Sequence, residues 1–116
     1  MADSFDFALK QHDRKPPIQA TLTTGPASRP VPVNLAGCTV KFIMALTAGG
    51  SPVVNGTAVI VDATEGIVSY DWADGDTAVT GSYLAEWQVT DSGGLEWTFP
   101  TLTYHTVQIL ADLDGA

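Results

Sequence analysis

The sequence predicts an all-β fold, an antiparallel sandwich of two sheets with seven or eight strands. Two alternating segments carry this prediction: Val68, Tyr70 and Trp72 share one face of the first, and Tyr83 and Trp87 share one face of the second. Successive side chains of a strand point to opposite sides of a sheet, so each segment predicts a half-buried strand. Further alternating segments, separated by turn signals roughly every ten residues, favour a sandwich over an α/β arrangement.

The spacing Asp76…Gly81-Ser82-Tyr83 narrows the prediction to an immunoglobulin-like sandwich. It is typical of the tyrosine corner, in which a Tyr hydroxyl near the start of a strand returns to upstream backbone. Two residues further on, where antibody domains have a cysteine, this chain has Ala85.

Eight strands are predicted, at residues 5–9, 18–23, 39–46, 57–62, 67–72, 82–90, 95–99 and 102–110. The third is the strongest candidate for a central strand, because Val40, Phe42, Met44 and Leu46 share one face. On its other face, Ile43 and Ala45 are apolar as well.

The connections contain residues that end strands. Residues 25–34 include two prolines besides Gly25 and Pro26 and predict a loop, and the turn Asp91-Ser92-Gly93-Gly94 predicts a hairpin. We find no repeat and no linker, so residues 1–116 are predicted to form a single domain.

The composition excludes several classes of protein. Cys38 is the only cysteine, so we expect a small buried apolar residue and synthesis in a reducing cytoplasm. The start has no signal-peptide pattern, and no run of about 18 apolar residues occurs. Secretion and membrane spanning are therefore not expected.

The charge is divided unevenly along the chain. Residues 1–41 contain all five basic side chains and three aspartates, a net +2, whereas the rest has ten carboxylates and no Lys or Arg, a net −10. Such a body disfavours nucleic-acid and membrane partners. Lys10, Arg14 and Lys15 fall together before Pro16-Pro17, and we predict that they form a protein interface that docks on a carboxylate-rich surface.

No catalytic site is predicted, because His12 and His105 are far apart in sequence and no nucleophile motif is present. We expect no enzyme activity, no cofactor and no metal. Asp71, Asp74 and Asp76 offer oxygens to Ca²⁺, but they lack EF-hand spacing, so a solvated turn is favoured over a calcium module or a metal-dependent enzyme.

The aromatic side chains allow two interpretations. Tyr70, Trp72, Tyr83, Trp87 and Trp97 could form a stacking platform for a host glycan, or they could fill the core. Periodicity assigns Tyr70, Tyr83 and Trp87 to the core faces of their strands, so core packing is favoured. A sugar-binding sandwich would require Trp72 and Trp97 to be exposed side by side.

Four segments together resemble a known phage family: FALKQHDRKPPIQATL, VNLAGCTVKFIM, GIVSYDWADGDTAVTGSYLAEWQVT and LEWTFPTLTYHTVQI. Over residues 5–110 the chain is similar to the N-terminal domain of the phage baseplate upper protein family. The resemblance rests on turn and core residues, among them Asp76-Thr77 and Gly81-Ser82-Tyr83 with Glu86.

This resemblance implies an immunoglobulin-like domain that docks onto a virion and carries no catalytic residues. The expected function is therefore non-enzymatic: an assembly or decoration module of a tail or baseplate, present in symmetric copies and bound to other virion proteins. The alternatives are a capsid decoration protein and a carbohydrate-binding sandwich for host attachment. The family's helical stalk is not expected, because no heptads precede Ala116.

Overall fold

The computed structural model describes residues 7–26, 28–100, 105–111 and 113, which contain eleven strands and no helix. The strands are β1 (Phe7–Lys10), β2 (Ile18–Thr21), β3 (Thr23–Thr24), β4 (Val31–Pro32), β5 (Thr39–Ala45), β6 (Val54–Thr57), β7 (Val59–Asp62), β8 (Ile67–Tyr70), β9 (Gly81–Thr90), β10 (Glu96–Phe99) and β11 (His105–Leu110). The all-β prediction is confirmed. The expected count of seven or eight strands was too low.

Two sheets form the sandwich. The larger has six strands in the order β1-β11-β9-β5-β6, with β10 also paired to β9, and the smaller has the order β2-β8-β7. Both β10 and β11 run antiparallel to β9, and they lie end to end along the edge of β9 that faces away from β5. The predicted hairpin at residues 91–94 joins β9 to β10, and this prediction is confirmed.

One strand pair departs from the predicted antiparallel arrangement. β1 runs parallel to β11, with Phe7 opposite Val107 and Leu9 opposite Ile109. Residues 11–17 carry the chain from β1 into β2 of the other sheet, so β1 has no hairpin partner in its own sheet. It pairs instead with the last strand, which is distant in sequence, and a parallel pair requires such a long connection.

The predicted strand at residues 57–62 corresponds to β7, except that Thr57 ends β6, a strand that was not predicted. β6 pairs with β5 and β7 pairs with β8, and the chain crosses between the sheets at Ala58, whose N–H donates to the Val40 carbonyl at 2.8 Å. Gly56 permits the close packing of β6: a Cβ atom there would lie 2.6 Å from Cε1 of Tyr70.

The predicted loop at residues 25–34 also contains a strand. β4 pairs with β3 as a two-stranded ribbon, with Thr23 opposite Pro32. The ribbon is joined to the β7–β8 turn, because the Leu22 N–H donates to the Gly66 carbonyl at 2.8 Å. The Val33 N–H donates to the Leu22 carbonyl at 2.9 Å and so extends the contact between the two sides of the ribbon.

The core lies between the two sheets and is rich in aromatic rings. Phe42 of β5 stacks on Tyr70 of β8 at 5.0 Å between ring centroids and contacts Trp87 of β9 at 4.9 Å. Trp72 meets Phe42 edge-on at 5.7 Å. The predicted core faces of the strands near residues 40, 68 and 85 are therefore confirmed for these rings and for Val40, Met44, Val68, Ala85 and Val89.

The prediction was wrong for Leu46, which is 55% exposed because β5 ends at Ala45 and the chain turns away from the core. Phe5 and the predicted strand residues 102–104 lie outside the described residues.

Candidate functional site

The three basic residues of the proposed interface lie at the end of β1 and in the connection that follows it. Lys10 is the last residue of β1, opposite Leu110, and alternation places it with Ala8 on the outer face of the six-stranded sheet. Arg14 and Lys15 lie in the exposed connection between β1 and β2, where they line one shallow depression. The candidate interface thus consists of a cationic pair at one end of the sandwich and a lysine on a neighbouring surface.

The connection between β1 and β2 is held by hydrogen bonds to the loop that follows β8. Arg14 Nε donates to the Trp72 carbonyl at 3.0 Å, and Trp72 Nε1 donates in return to the Pro16 carbonyl at 3.1 Å. The Thr77 hydroxyl donates to the Asp13 carbonyl at 2.8 Å. Arg14 is therefore held at the surface by the backbone of a buried residue, Trp72.

Charges of both signs surround this connection. Asp71 lines the same depression as Arg14 and Lys15, and Asp13 precedes the pair in the chain. Each carboxylate weakens the attraction of the pair for a distant anion. A uniformly acidic polymer is therefore a poor partner for this surface. A protein that presents both carboxylates and hydrogen-bonding groups at short range fits it better.

Asp76 acts inside the loop that follows β8. Its Oδ2 accepts hydrogen bonds from the Tyr70 hydroxyl at 2.6 Å and from the Ala73 N–H at 2.8 Å. Burial raises the pKa of Tyr70, and the hydrogen bond and negative charge of Asp76 act in the same direction. The described residues contain no group of three or more Asp, Glu, His or Cys side chains that could hold a metal ion. Asp71, Asp74 and Asp76 therefore do not form such a group.

Most of the aromatic side chains proposed for a sugar platform are in the core. Tyr70, Tyr83 and Trp87 are buried, as periodicity predicted, and Trp72 is only 2% exposed. Trp97 is 49% exposed and packs beside Phe99 at 5.0 Å between ring centroids. Trp72 and Trp97 therefore do not form the exposed pair that the carbohydrate alternative required.

The tyrosine corner is confirmed. The Tyr83 hydroxyl donates to the Val79 carbonyl, four residues upstream, at 2.6 Å. Burial raises the pKa of Tyr83.

The two histidines lie at opposite ends of the β1–β11 pair. His105 begins β11 and meets the Phe7 ring edge-on at 5.6 Å, whereas His12 follows the end of β1 and donates its N–H to the Thr77 carbonyl. They do not belong to one site. Cys38 is partly buried and packs against the core, as expected for a small apolar residue.

Sequence reasoning missed a hollow of about 240 Å³ on the outer face of the six-stranded sheet. It is lined by Ile43 and Ala45 of β5, by residues 84–86 of β9, and by residues 47–50 and 52 of the connection between β5 and β6. The apolar second face of β5, visible in the alternation of Ile43 and Ala45, was the signal that could have indicated it.

The described residues contain no helix that is long and apolar enough to cross a membrane. Residues 28–111 match the family model described as the BppU N-terminal domain, that is, the N-terminal domain of the baseplate upper protein. The match does not include the stretch with Lys10, Arg14 and Lys15, although the resemblance seen in the sequence began at residue 5.

Among solved structures, the chain is similar to the crystal structure of CopC from Methylosinus trichosporium OB3b, with 15% sequence identity and a TM-score of 0.47. The similarity covers 95% of this chain and 88% of that one. No curated protein sequence matches significantly.

Proposed function

The chain belongs to the family of the baseplate upper protein N-terminal domain, and from that membership we propose that it is a non-enzymatic assembly module of the baseplate of a tailed phage. The family implies a structural protein of the phage baseplate, and hence a place in the virion. The observation that carries the proposal is the match over residues 28–111, most of the described domain. In this proposal the protein is made in the host cytoplasm and built into the particle in several symmetric copies.

The roles of the polar groups support a structural function. The Tyr83 hydroxyl, the Asp76 carboxylate and the indole N–H of Trp72 each make a hydrogen bond that fixes a loop or a corner. Groups with such partners stabilise one conformation. A rigid sandwich of this kind can present its surfaces to neighbouring proteins without rearrangement.

The connection that contains Arg14 and Lys15, together with Lys10, is the surface that we propose for contact with another virion protein. Arg14 is positioned by its bond to the Trp72 carbonyl, so less side-chain entropy is lost when it binds a carboxylate. Contacts between exposed charges weaken as salt rises, because the Debye length falls from about 10 Å at 0.1 M to about 3 Å at 1 M.

This docking surface is tested by replacing Lys10, Arg14 and Lys15 with serine and measuring incorporation into phage particles at several sodium chloride concentrations. We expect less incorporation of the variant at low salt and a smaller difference at high salt, while circular dichroism shows that the fold stays intact. A control replaces Arg29 with serine, since Arg29 is exposed and lies outside both this connection and the six-stranded sheet. Equal incorporation of all three proteins at every salt concentration would exclude the connection as a docking site.

The role in assembly is tested by removing the gene from the phage and examining the particles by electron microscopy and mass spectrometry. We expect tails with incomplete baseplates, and restoration when the gene is supplied in trans. Complete, infectious particles that lack the protein would indicate decoration instead. Detection of the protein on heads rather than on tails would favour the capsid alternative.

A further inference from the structure

The outer face of the six-stranded sheet differs from the rest of the molecule in its charge. Alternation and strand register place four charged side chains of the described strands on this face: Lys10, Lys41, Glu86 and Glu96. Two are positive and two negative, so the face is neutral, whereas the whole chain carries −8. Most other carboxylates of the described residues lie in turns and connections, at Glu65, Asp71, Asp74, Asp76 and Asp91.

Two copies of a chain with this net charge repel one another through most of their surfaces. The repulsion is least where they meet through a neutral face, because the nearest charges then include attractive pairs. From this we propose that two copies of the chain pack face to face through the outer side of the six-stranded sheet, with Lys41 of each copy entering the hollow beside Glu86 of the other.

The positions of the two residues fit a two-fold axis. Lys41 lies opposite Gln88, and Glu86 lies opposite Ile43. Lys41 and Glu86 are therefore diagonal neighbours on the same face of two adjacent strands. An axis in the plane of contact, midway between them and perpendicular to the line that joins them, places each lysine over the partner's glutamate. Every contact then occurs twice, as in the isologous interfaces of most homodimers.

The hollow has the shape and chemistry to receive a lysine. Its volume is about 240 Å³, and its walls combine the apolar side chains of Ile43, Ala45 and Leu84 with the Glu86 carboxylate. The four-carbon stem of a lysine packs against apolar surface while its ammonium group pairs with a carboxylate. Lys41 is itself exposed on the same face, two residues before Ile43.

The face is also large enough for a stable dimer. Five strands lie side by side, and β9 has ten residues. With strands about 4.8 Å apart and a rise of about 3.4 Å per residue, the plane measures roughly 600 Å². The side chains project from this plane, so the accessible surface area of the face is larger than the planar area. It approaches the roughly 800 Å² per partner that stable interfaces bury.

The inference deepens the proposed multi-copy assembly, and charge reversal in the full chain tests it. Sedimentation equilibrium from micromolar to millimolar concentration should show a dimer for the unchanged protein. Lys41→Glu and Glu86→Lys should each weaken dimerisation at least about tenfold, because like charges then meet twice across the axis. The two changes together restore opposite charges, so the double variant should dimerise within about threefold of the unchanged protein.

Two matched controls separate local pairing from net charge. Arg29→Glu changes the net charge as Lys41→Glu does, and Glu65→Lys changes it as Glu86→Lys does, but both residues are exposed in loops off this face. We expect each control to alter dimerisation less than threefold. If a reversal unfolds the domain by circular dichroism, Lys41→Gln and Glu86→Gln replace the pair, and each should weaken the dimer.

A chain that stays monomeric at every concentration overturns the inference. So does a dimer that responds to Lys41→Glu and Glu86→Lys no more than to the controls, since another surface would then form the contact. These outcomes are independent of the proposed function. A monomer in solution that still enters baseplates contradicts the dimer alone, and a dimer that is absent from particles contradicts the baseplate role alone.

Discussion

Tyr83 links the start of β9 to the loop before it. Its ring is 3% exposed and its hydroxyl donates to the Val79 carbonyl at 2.6 Å. Replacing Tyr83 with phenylalanine removes this bond and keeps the ring, so we expect the free energy of unfolding to fall by about 1 kcal/mol. Urea denaturation of the two proteins measures the difference. An unchanged midpoint and slope would show that the corner contributes nothing to stability.

The Tyr70 hydroxyl donates a hydrogen bond to a charged acceptor, the Asp76 carboxylate, whereas the Tyr83 hydroxyl donates to a neutral carbonyl. Burial, followed by Asp76, raises its pKa, so the folded state favours the protonated phenol. The resulting stability is fully present below the unfolded pKa of about 10 and is lost as pH rises through the higher folded pKa. We therefore expect the free energy of unfolding to decrease above about pH 10.

This pH dependence is measured by urea denaturation from pH 8 upward. Tyr70→Phe should lower stability at pH 8 and make the decrease at high pH shallower. Tyr83→Phe serves as the comparison, since burial also raises the pKa of Tyr83 but no carboxylate accepts its hydrogen bond. An equally steep alkaline decrease in the Tyr70 variant would rule out Tyr70 as its source.

Trp87 contributes to the core through its volume. It is completely buried against Phe42, and none of the described residues accepts a hydrogen bond from its Nε1. Trp87→Ala should therefore destabilise by about 3–5 kcal/mol. Trp87→Phe should cost less, because no bond is lost and part of the volume is kept. A loss below about 1 kcal/mol for the alanine variant would contradict the role of Trp87 in the core.

At the scale of elements, the turn between β7 and β8 positions the β3–β4 ribbon. Gly66 has a φ of +70°, and a Cβ atom there would lie 2.7 Å from the Leu22 carbonyl oxygen and 2.9 Å from that of Val33. Gly66→Ala therefore combines a left-handed backbone with a backbone clash, and we expect a loss of about 3 kcal/mol or more.

Gly94→Ala is the matched control. Gly94 has a φ of +87°, but a Cβ atom there would have no neighbour within 4 Å. Only the left-handed conformation is then penalised, at about 1–2 kcal/mol. Thermal unfolding of both variants measures the difference, and equal losses would show that the contacts of Gly66 with Leu22 and Val33 do not constrain the turn.

The elements predicted correctly from the sequence are those with sustained alternation. β5, β8 and β9 each have several apolar side chains on one face, and this pattern specifies both the strand and its buried side. β6 lacks the pattern, because the pair Asn55-Gly56 resembles a turn. Only glycine fits at position 56, because the Tyr70 ring occupies the space that a Cβ atom would need. The parallel β1–β11 pair depends on a contact between the two ends of the chain, which local periodicity does not encode.

The same limit applies to the candidate site. Nearness in sequence grouped Lys10 with Arg14 and Lys15, and it could not indicate that Lys10 ends β1 and follows the alternation of that strand. The hollow beside Glu86 combines residues of β5 and β9 that are about 40 positions apart. Only the pairing of those strands brings them together.

At the scale of the whole molecule, net charge and sheet arrangement are connected. The turns carry most of the described carboxylates, and the larger sheet presents a neutral outer face. High net charge keeps copies apart in solution except where the surface is locally neutral. The proposed multi-copy assembly therefore requires defined contact surfaces, and the two surfaces proposed for this chain use different residues apart from Lys10.

The shared core predicts that residues 1–116 unfold as one unit. Phe42 and Trp87 belong to the larger sheet and Tyr70 to the smaller, and their rings are in contact, so neither sheet keeps its buried face without the other. Single domains of this size usually unfold in one transition. We therefore expect tryptophan fluorescence and far-ultraviolet circular dichroism to give the same melting midpoint. The circular dichroism spectrum should be of the β type. Addition of Ca²⁺ should leave the melting temperature unchanged. Two separate midpoints would show that the sheets unfold independently, and helix content above about a fifth would contradict the sandwich. A rise in melting temperature with Ca²⁺ would support the calcium site at Asp71, Asp74 and Asp76.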